Sequence, residues 1–172
     1  MINIVLFEPE IPQNTGNIMR TCAGTYTKLH LIGPLGFSLN DKYLKRSGVN
    51  YIENCDYTVY EDYEDFLSKN KDGKFYYLTR YGKTPHSSVD LSNRDENLYL
   101  VFGKESTGIP KDILKNNLDK CLRIPTNDKI RALNLSNCVA LVLFEALRQQ
   151  DYPNLSRVET QKGEDYLENI EL

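Results

Sequence analysis

The sequence predicts an α/β domain with a mostly parallel sheet flanked by helices. Three observations carry that expectation. Short apolar or aromatic runs of strand length alternate with stretches of helical spacing along the chain. The run LYLVFG (98–103) stops at Gly103 and gives way to a charged loop, KEST, that ends at a second glycine, Gly108. Polar loops also follow the carboxyl ends of several other runs, which is where open α/β sheets bind ligands. At 172 residues the chain fits one domain with a real core.

The elements follow in order. INIVLF (2–7) is a strand; NTGNIMRTCAGTY forms a helix after Pro12; KLHLIG (28–33) is a second strand. DKYLKRSG (41–48) has helical spacing, YTVY is a short strand and YEDFLSKN a further helix. FYYLTR (75–80) and LYLVFG (98–103) are strands. PKDILKNN is a short helix with proline in its first turn, where a missing N–H costs nothing. KCLRIP (120–125) is the last strand and LNLSNCVALVLFEALRQQ a long last helix. From Cys138 to Phe144 that helix is apolar on every side, so it must be buried on more than one face. One face would meet the sheet and another a second copy of the chain, a homodimer; the alternative is burial wholly within one subunit. There is no internal repeat. The body is read as residues 1–153 and the remainder, 154–172, as an acidic tail.

Composition narrows the class. No apolar run approaches the roughly 20 residues of a membrane span, and MINIVLFEPE lacks a basic leader, so the expected location is cytoplasmic. The four cysteines are scattered, with no CxxC pair and no histidine at ligand spacing, so neither a metal nor a disulfide framework is expected. Cys22 and Cys138 read as small core residues, and His30 and His86 as structural. Net charge is −3, but residues 151–172 alone carry −4, from six acids against Arg157 and Lys162. The body is therefore near neutral and can hold a local basic patch.

Four strand exits are candidates for chemistry. The first connection, EPEIPQNTGNIMR, contains only Gly16 where a dinucleotide-binding loop would carry GxGxxG, which counts against that class. Asn14, Thr15 and Asn17 cluster at a helix start with Arg20 further in, an arrangement suited to a phosphate; the plainer reading makes Asn14 a helix cap. The others are KESTG with its lone acid Glu105, RIPTNDKIRALNLSN (123–137), and Leu78-Thr79-Arg80 at the end of FYYLTR. For polyanion contact the candidate is DKYLKRSGVNY, whose Lys42, Lys45 and Arg46 fall within one helical turn; a solvated face is the alternative.

NTGNIMR, LVFGKESTGIP and IPTNDKIRALNLSN resemble the three motifs of SPOUT-class RNA 2′-O-methyltransferases. FEPEIPQNTGNIMRTCAGT and LNLSN…EALRQQ are most similar to the small branch that methylates the wobble ribose of leucine tRNAs, the tRNA (cytidine/uridine-34)-2′-O-methyltransferases. The likeness spans about residues 1–153. It implies a C-terminal trefoil knot, S-adenosylmethionine as cofactor, tRNA as partner, and a homodimer whose site is completed by the partner's first motif. By position, cofactor contacts fall on Leu78, Thr79, Gly103, Ile124, Ala132 and Leu133, with Gly103 admitting close backbone approach. Asn14, Arg20, Glu105 and Asn134 become the catalytic set. Glu105 orders the pocket, Asn134 bonds near the reacting ribose, and Arg20 is better suited to clamping a phosphate than to acting as a base, because guanidinium stays protonated. Ala132 departs from the serine common in this class before the Leu-Asn pair. Other readings are a different RNA target, or a non-catalytic RNA-binding module that keeps the fold.

Overall fold

Two strands of unbroken burial form the centre of the sheet in the computed structural model, which describes residues 1–40, 42–47 and 52–171. They are β1 (Ile2–Phe7) and, far along the chain, β6 (Leu98–Gly103), paired in parallel from Ile2↔Leu98 to Phe7↔Gly103. Beyond β1 lie β2 (Lys28–Ile32) and β3 (Tyr57–Tyr60); beyond β6 lie β4 (Lys74–Leu78), β7 (Cys121–Arg123) and the two-residue β5 (Thr84–Pro85). The order is β3-β2-β1-β6-β4-β7-β5, and every pairing is parallel. The helices are α1 (Pro12–Thr25), α2 (Lys42–Ser47), α3 (Tyr63–Lys69), α4 (Lys111–Lys115), α5 (Leu135–Gln149) and α6 (Tyr166–Asn169). The expected α/β class with a mostly parallel sheet is what the chain adopts.

Strand alternation assigns the two faces. Ile2, Ile4 and Leu6 of β1, with Leu98, Leu100 and Phe102 of β6, point into a cluster with Ile18, Met19 and Cys22 of α1 and Val139, Val142 and Leu143 of α5. Val5, Phe7, Tyr99 and Val101 point the other way, against Phe66 of α3 and Leu114 of α4. Both faces are covered, as a parallel sheet requires. Because β2 and β3 lie on one side of β1 and the later strands on the other, the crossover direction reverses between β1 and β6. The loops that leave the carboxyl ends at this reversal are the ones that build a crevice.

Several element ends differ from the sequence expectation. Strand β4 stops at Leu78, so Thr79 and Arg80 belong to a turn: the Thr79 carbonyl accepts from Gly82 N–H at 3.2 Å. Strand β7 stops at Arg123, before Pro125, which has no N–H for a ladder. The edge strand β5 and the short α6 in the tail were not expected, since two and four residues are too few to show a period. Gly103 has φ of +96°, and a Cβ there would lie 2.7 Å from the Phe7 carbonyl oxygen. Close approach at this glycine is thus to the β1 backbone.

Helix α5 is buried on one side only. Val139, Val142, Leu143, Ala146 and Leu147 are in the core, but Leu141 and Phe144 are 48% and 46% exposed. Burial wholly within one subunit is therefore ruled out for this helix. In the tail, Leu155 packs on the core and Arg157 pairs with Asp151, while later residues are mostly exposed. Among the described residues no helix is long and apolar enough to cross a membrane.

Candidate active site

A cavity of about 730 Å³ opens at the carboxyl ends of β4, β6 and β7, within the range of small-molecule sites. Its walls come from three separated segments, 78–81, 102–108 and 123–135, with Ile11 and Asn14 of the first connection closing one side. Leu78, Thr79, Gly103, Ile124, Ala132 and Leu133 all line it, as do Asn14, Glu105 and Asn134. Nine of the sequence-selected residues are thereby gathered from four stretches of chain.

Glu105 is the hinge of this arrangement. Its Oε2 accepts from the Glu10 amide at 2.9 Å, and its Oε1 from the Ile11 amide at 3.1 Å and from Asn14 Nδ2 at 3.3 Å. These amides sit at the start of α1, whose N-cap, Ile11, offers no side-chain bond. The backbone amides that lead into this helix are thus satisfied by the protein's own carboxylate. Glu10 reciprocates: its carboxylate accepts from the Ser106 amide at 2.9 Å and the Ser106 hydroxyl at 2.8 Å. Lys104 pairs with Glu8 alongside. The loop after β6 is laced to the loop after β1 by side chains of both.

Asn14 is buried and does not cap its helix. It donates to Glu105, and its Oδ1 accepts from Asn134 Nδ2 at 3.0 Å. Asn134 in turn caps α5, its Oδ1 accepting from the Ser136 amide at 2.9 Å and the Ser136 hydroxyl at 2.6 Å. A chain Glu105–Asn14–Asn134 therefore ties the β6 exit, α1 and α5 into one wall. Thr79 spends its amide on the Leu122 carbonyl (2.9 Å), and its Oγ1 accepts from the Tyr81 amide (3.3 Å), so it shapes the loop as well as lining the cavity.

Other selected residues lie elsewhere. Arg20 is exposed on α1, beyond Asn14, and does not line the cavity of its own chain. Lys42 and Arg46 are exposed on α2, which packs on α1 away from the cavity. The side chain of Lys45 lies outside the described residues, as do Asp41 and residues 48–51 of the same candidate patch. Cys138 packs on the core, as expected, and also touches the cavity; burial pushes its thiol pKa up, which keeps it a neutral S–H.

Sequence reading missed the charge of the cavity rim. Arg80, Lys104, Lys111, Arg123, Lys129 and Arg131 line it, against the single acid Glu105, whose oxygens face α1. Lys111 apart, each lies in a stretch singled out above, Arg80 at the exit of FYYLTR, Lys104 in KESTG, and Arg123, Lys129 and Arg131 in RIPTNDKIRALNLSN, but only the fold collects them into one rim. Among the described residues no group of His, Cys, Asp or Glu is arranged to hold a metal ion.

A parallel α/β sheet with its cavity at a crossover reversal, walled by three polar strand exits, defines a small-molecule-binding architecture. Comparison with known proteins makes the class specific. The SpoU rRNA Methylase family pattern matches residues 1–144, and the chain belongs to that family. The Escherichia coli (strain K12) tRNA (cytidine(34)-2′-O)-methyltransferase is 45% identical over 154 residues, covering 89% of this chain and 96% of that one. A crystal structure from Bacillus anthracis superposes with a TM-score of 0.88 at 52% identity, covering 93% of this chain and 100% of that chain. A second structure, described as giving insight into 2′-OH methylation of C/U34 on tRNA, has a TM-score of 0.81 at 36% identity and covers 88% and 97%.

Proposed function

We propose that the protein transfers a methyl group from S-adenosylmethionine to the ribose 2′-oxygen of the wobble nucleotide of a tRNA, cytidine or modified uridine 34, with leucine tRNAs as the substrates. The observation that carries the reading is the single cavity formed by the three motif segments, combined with near full-length similarity to an enzyme named for that reaction.

The cavity suits the cofactor by its donor set and shape. Apolar walls from Leu78, Ile124 and Leu133 match a flat purine, and the polar side carrying Asn14 and Asn134 matches an amino-acid end. When bound, S-adenosylmethionine supplies a methyl group on a positively charged sulfur that leaves readily. The chain's contribution is alignment: the Glu105–Asn14–Asn134 wall fixes three loops so that ribose and methyl meet in line, an effect worth about 7–11 kcal/mol in favourable cases. Glu105 is not the base, because its oxygens already accept three hydrogen bonds. Arg20 acts from the partner subunit of a homodimer built on the exposed Leu141–Phe144 stripe of α5, clamping an RNA phosphate with its bidentate fork. The body, 1–153, carries the reaction, with the trefoil knot of the family in its C-terminal part; the acidic tail stands outside it, and the enzyme works in the cytoplasm.

The test is transfer of tritiated methyl from S-adenosylmethionine to unmodified tRNA, followed by mapping of the 2′-O-methyl group. Label at position 34 of leucine tRNAs is the expected result. Label on another RNA site would reassign the substrate, and binding of tRNA without transfer would make the chain a non-catalytic module.

A further inference from the structure

We propose that Tyr81, set between Arg80 and Lys111 at the mouth of the cavity, is a stacking platform for a base of the RNA substrate. The proposal rests on the RNA-methylation reading and adds to it the surface that receives the RNA beside the reacting ribose.

Tyr81 is 56% exposed at the edge of the cavity, while Tyr60, Tyr76, Tyr77 and Tyr99 are buried in the sheet. A ring this exposed at a cavity mouth, with only the ends of two long cationic side chains over it, is an available contact surface. The ring is also held in place. The Tyr81 amide donates to Thr79 Oγ1, and the Gly82 amide donates to the Thr79 carbonyl. Arg123 Nη1 donates to the Arg80 carbonyl at 2.5 Å, which ties the turn to β7. Gly82 is pressed so close to β7 that a Cβ would lie 2.6 Å from the Leu122 carbonyl carbon. The platform is therefore preorganised by its backbone.

Its neighbours identify the ligand chemistry. The Arg80 guanidinium lies 5.2 Å and the Lys111 ammonium 4.7 Å from the centre of the Tyr81 ring. Lys129 and Arg131, both exposed, continue the positive charge along the opposite rim. A flat aromatic face among cations matches a polyanion that carries flat rings, in which bases stack and phosphates pair. An acidic peptide would satisfy the cations and leave the ring unused. Lys42 and Arg46 of α2, by contrast, do not line this cavity.

The chain contains no tryptophan, so Tyr81→Trp introduces one reporter at the platform. Its emission should be quenched by an anticodon stem-loop RNA, with the midpoint shifting to higher RNA concentration as salt rises, and should not respond to S-adenosylmethionine alone. Tyr81→Ala should raise the KM for tRNA about 10- to 100-fold, with little change in S-adenosylmethionine affinity, and Tyr81→Phe should stay near wild type. No quenching by RNA, quenching by the cofactor alone, or an unchanged tRNA KM in Tyr81→Ala would each overturn the platform. Wild-type transfer is measured in parallel. If wild type methylates tRNA and the variants are indifferent, the platform fails alone. If wild type transfers nothing while RNA still quenches the reporter, the catalytic reading fails and the platform stands.

Discussion

Replacing Leu141 and Phe144 by alanine should separate the two chains of the proposed dimer and silence them together. Both side chains are close to half exposed on α5. Complete burial of a leucine or phenylalanine stabilises by about 1.5–3 kcal/mol, so covering the remaining half contributes roughly 0.7–1.5 kcal/mol per residue. Two residues in each of two chains then supply about 3–6 kcal/mol of association. Losing that raises the dissociation constant by about two to four powers of ten. The variant should sediment as a monomer at micromolar concentration while wild type sediments as a dimer. Its circular dichroism should be unchanged, because the buried face, Val139, Val142, Leu143 and Ala146, is untouched. Methyl transfer should fall in proportion to the dimer remaining, since Arg20 does not line the cavity of its own chain. A monomeric variant with full activity per chain would refute the argument, and so would a variant that stays dimeric.

Three further expectations follow. Glu105→Ala leaves the buried Asn14 amide and the Glu10 and Ile11 backbone amides without their anion; a loss of about 2–3 kcal/mol is expected, read as a fall in Tm of roughly 4–12 °C, with Glu105→Gln intermediate. Arg20→Ala and Glu105→Ala chains should each be inactive alone. Mixed, they should recover roughly a quarter of wild-type activity, because half of the dimers are hybrids with one intact site; a mixture as dead as its parts would place Arg20 in cis. His30 titrates at about 4, lowered first by burial and then by Lys28, with Asp56 opposing. Its neutral ring accepts from Tyr60 and donates to Asn3. Because the unfolded chain takes up this proton near pH 6.5, stability complete above that pH should decline by about 3 kcal/mol as pH falls toward 4. Denaturant titrations of wild type and His30→Gln across this range should show the wild type's extra slope; parallel curves would remove His30 as the cause.

The fold was legible because strand and helix periods are local. β1, β6 and α5 announce themselves by runs of four to seven apolar residues, and the parallel sheet follows from their alternation with helices. The members of the site were legible for a different reason: three polar motifs sit at strand exits, and such exits converge. Their mutual roles were not. Glu105 meets Asn14 across 91 positions and Asn134 meets Asn14 across 120, and no local rule says that a carboxylate from one loop will supply the anion at another loop's helix. Read locally, Asn14 was a cap or a phosphate ligand; it does not cap, and its side chain joins Glu105 to Asn134. Helical spacing groups Lys42 with Arg46 without saying where the helix packs, and in the fold they lie on α2, outside the cavity lining. Arg80 was named at a strand exit without its place on a charged rim, and the aromatic beside it went unread.

The most direct test is a crystal structure with S-adenosylhomocysteine and an anticodon stem-loop. The product should lie between Leu78, Gly103, Ile124 and Ala132, with Arg20 of the partner subunit on an RNA phosphate beside the reacting ribose and the Glu105–Asn14–Asn134 wall unmoved. Ligand bound outside those four residues, or a site complete within one chain, would contradict the account.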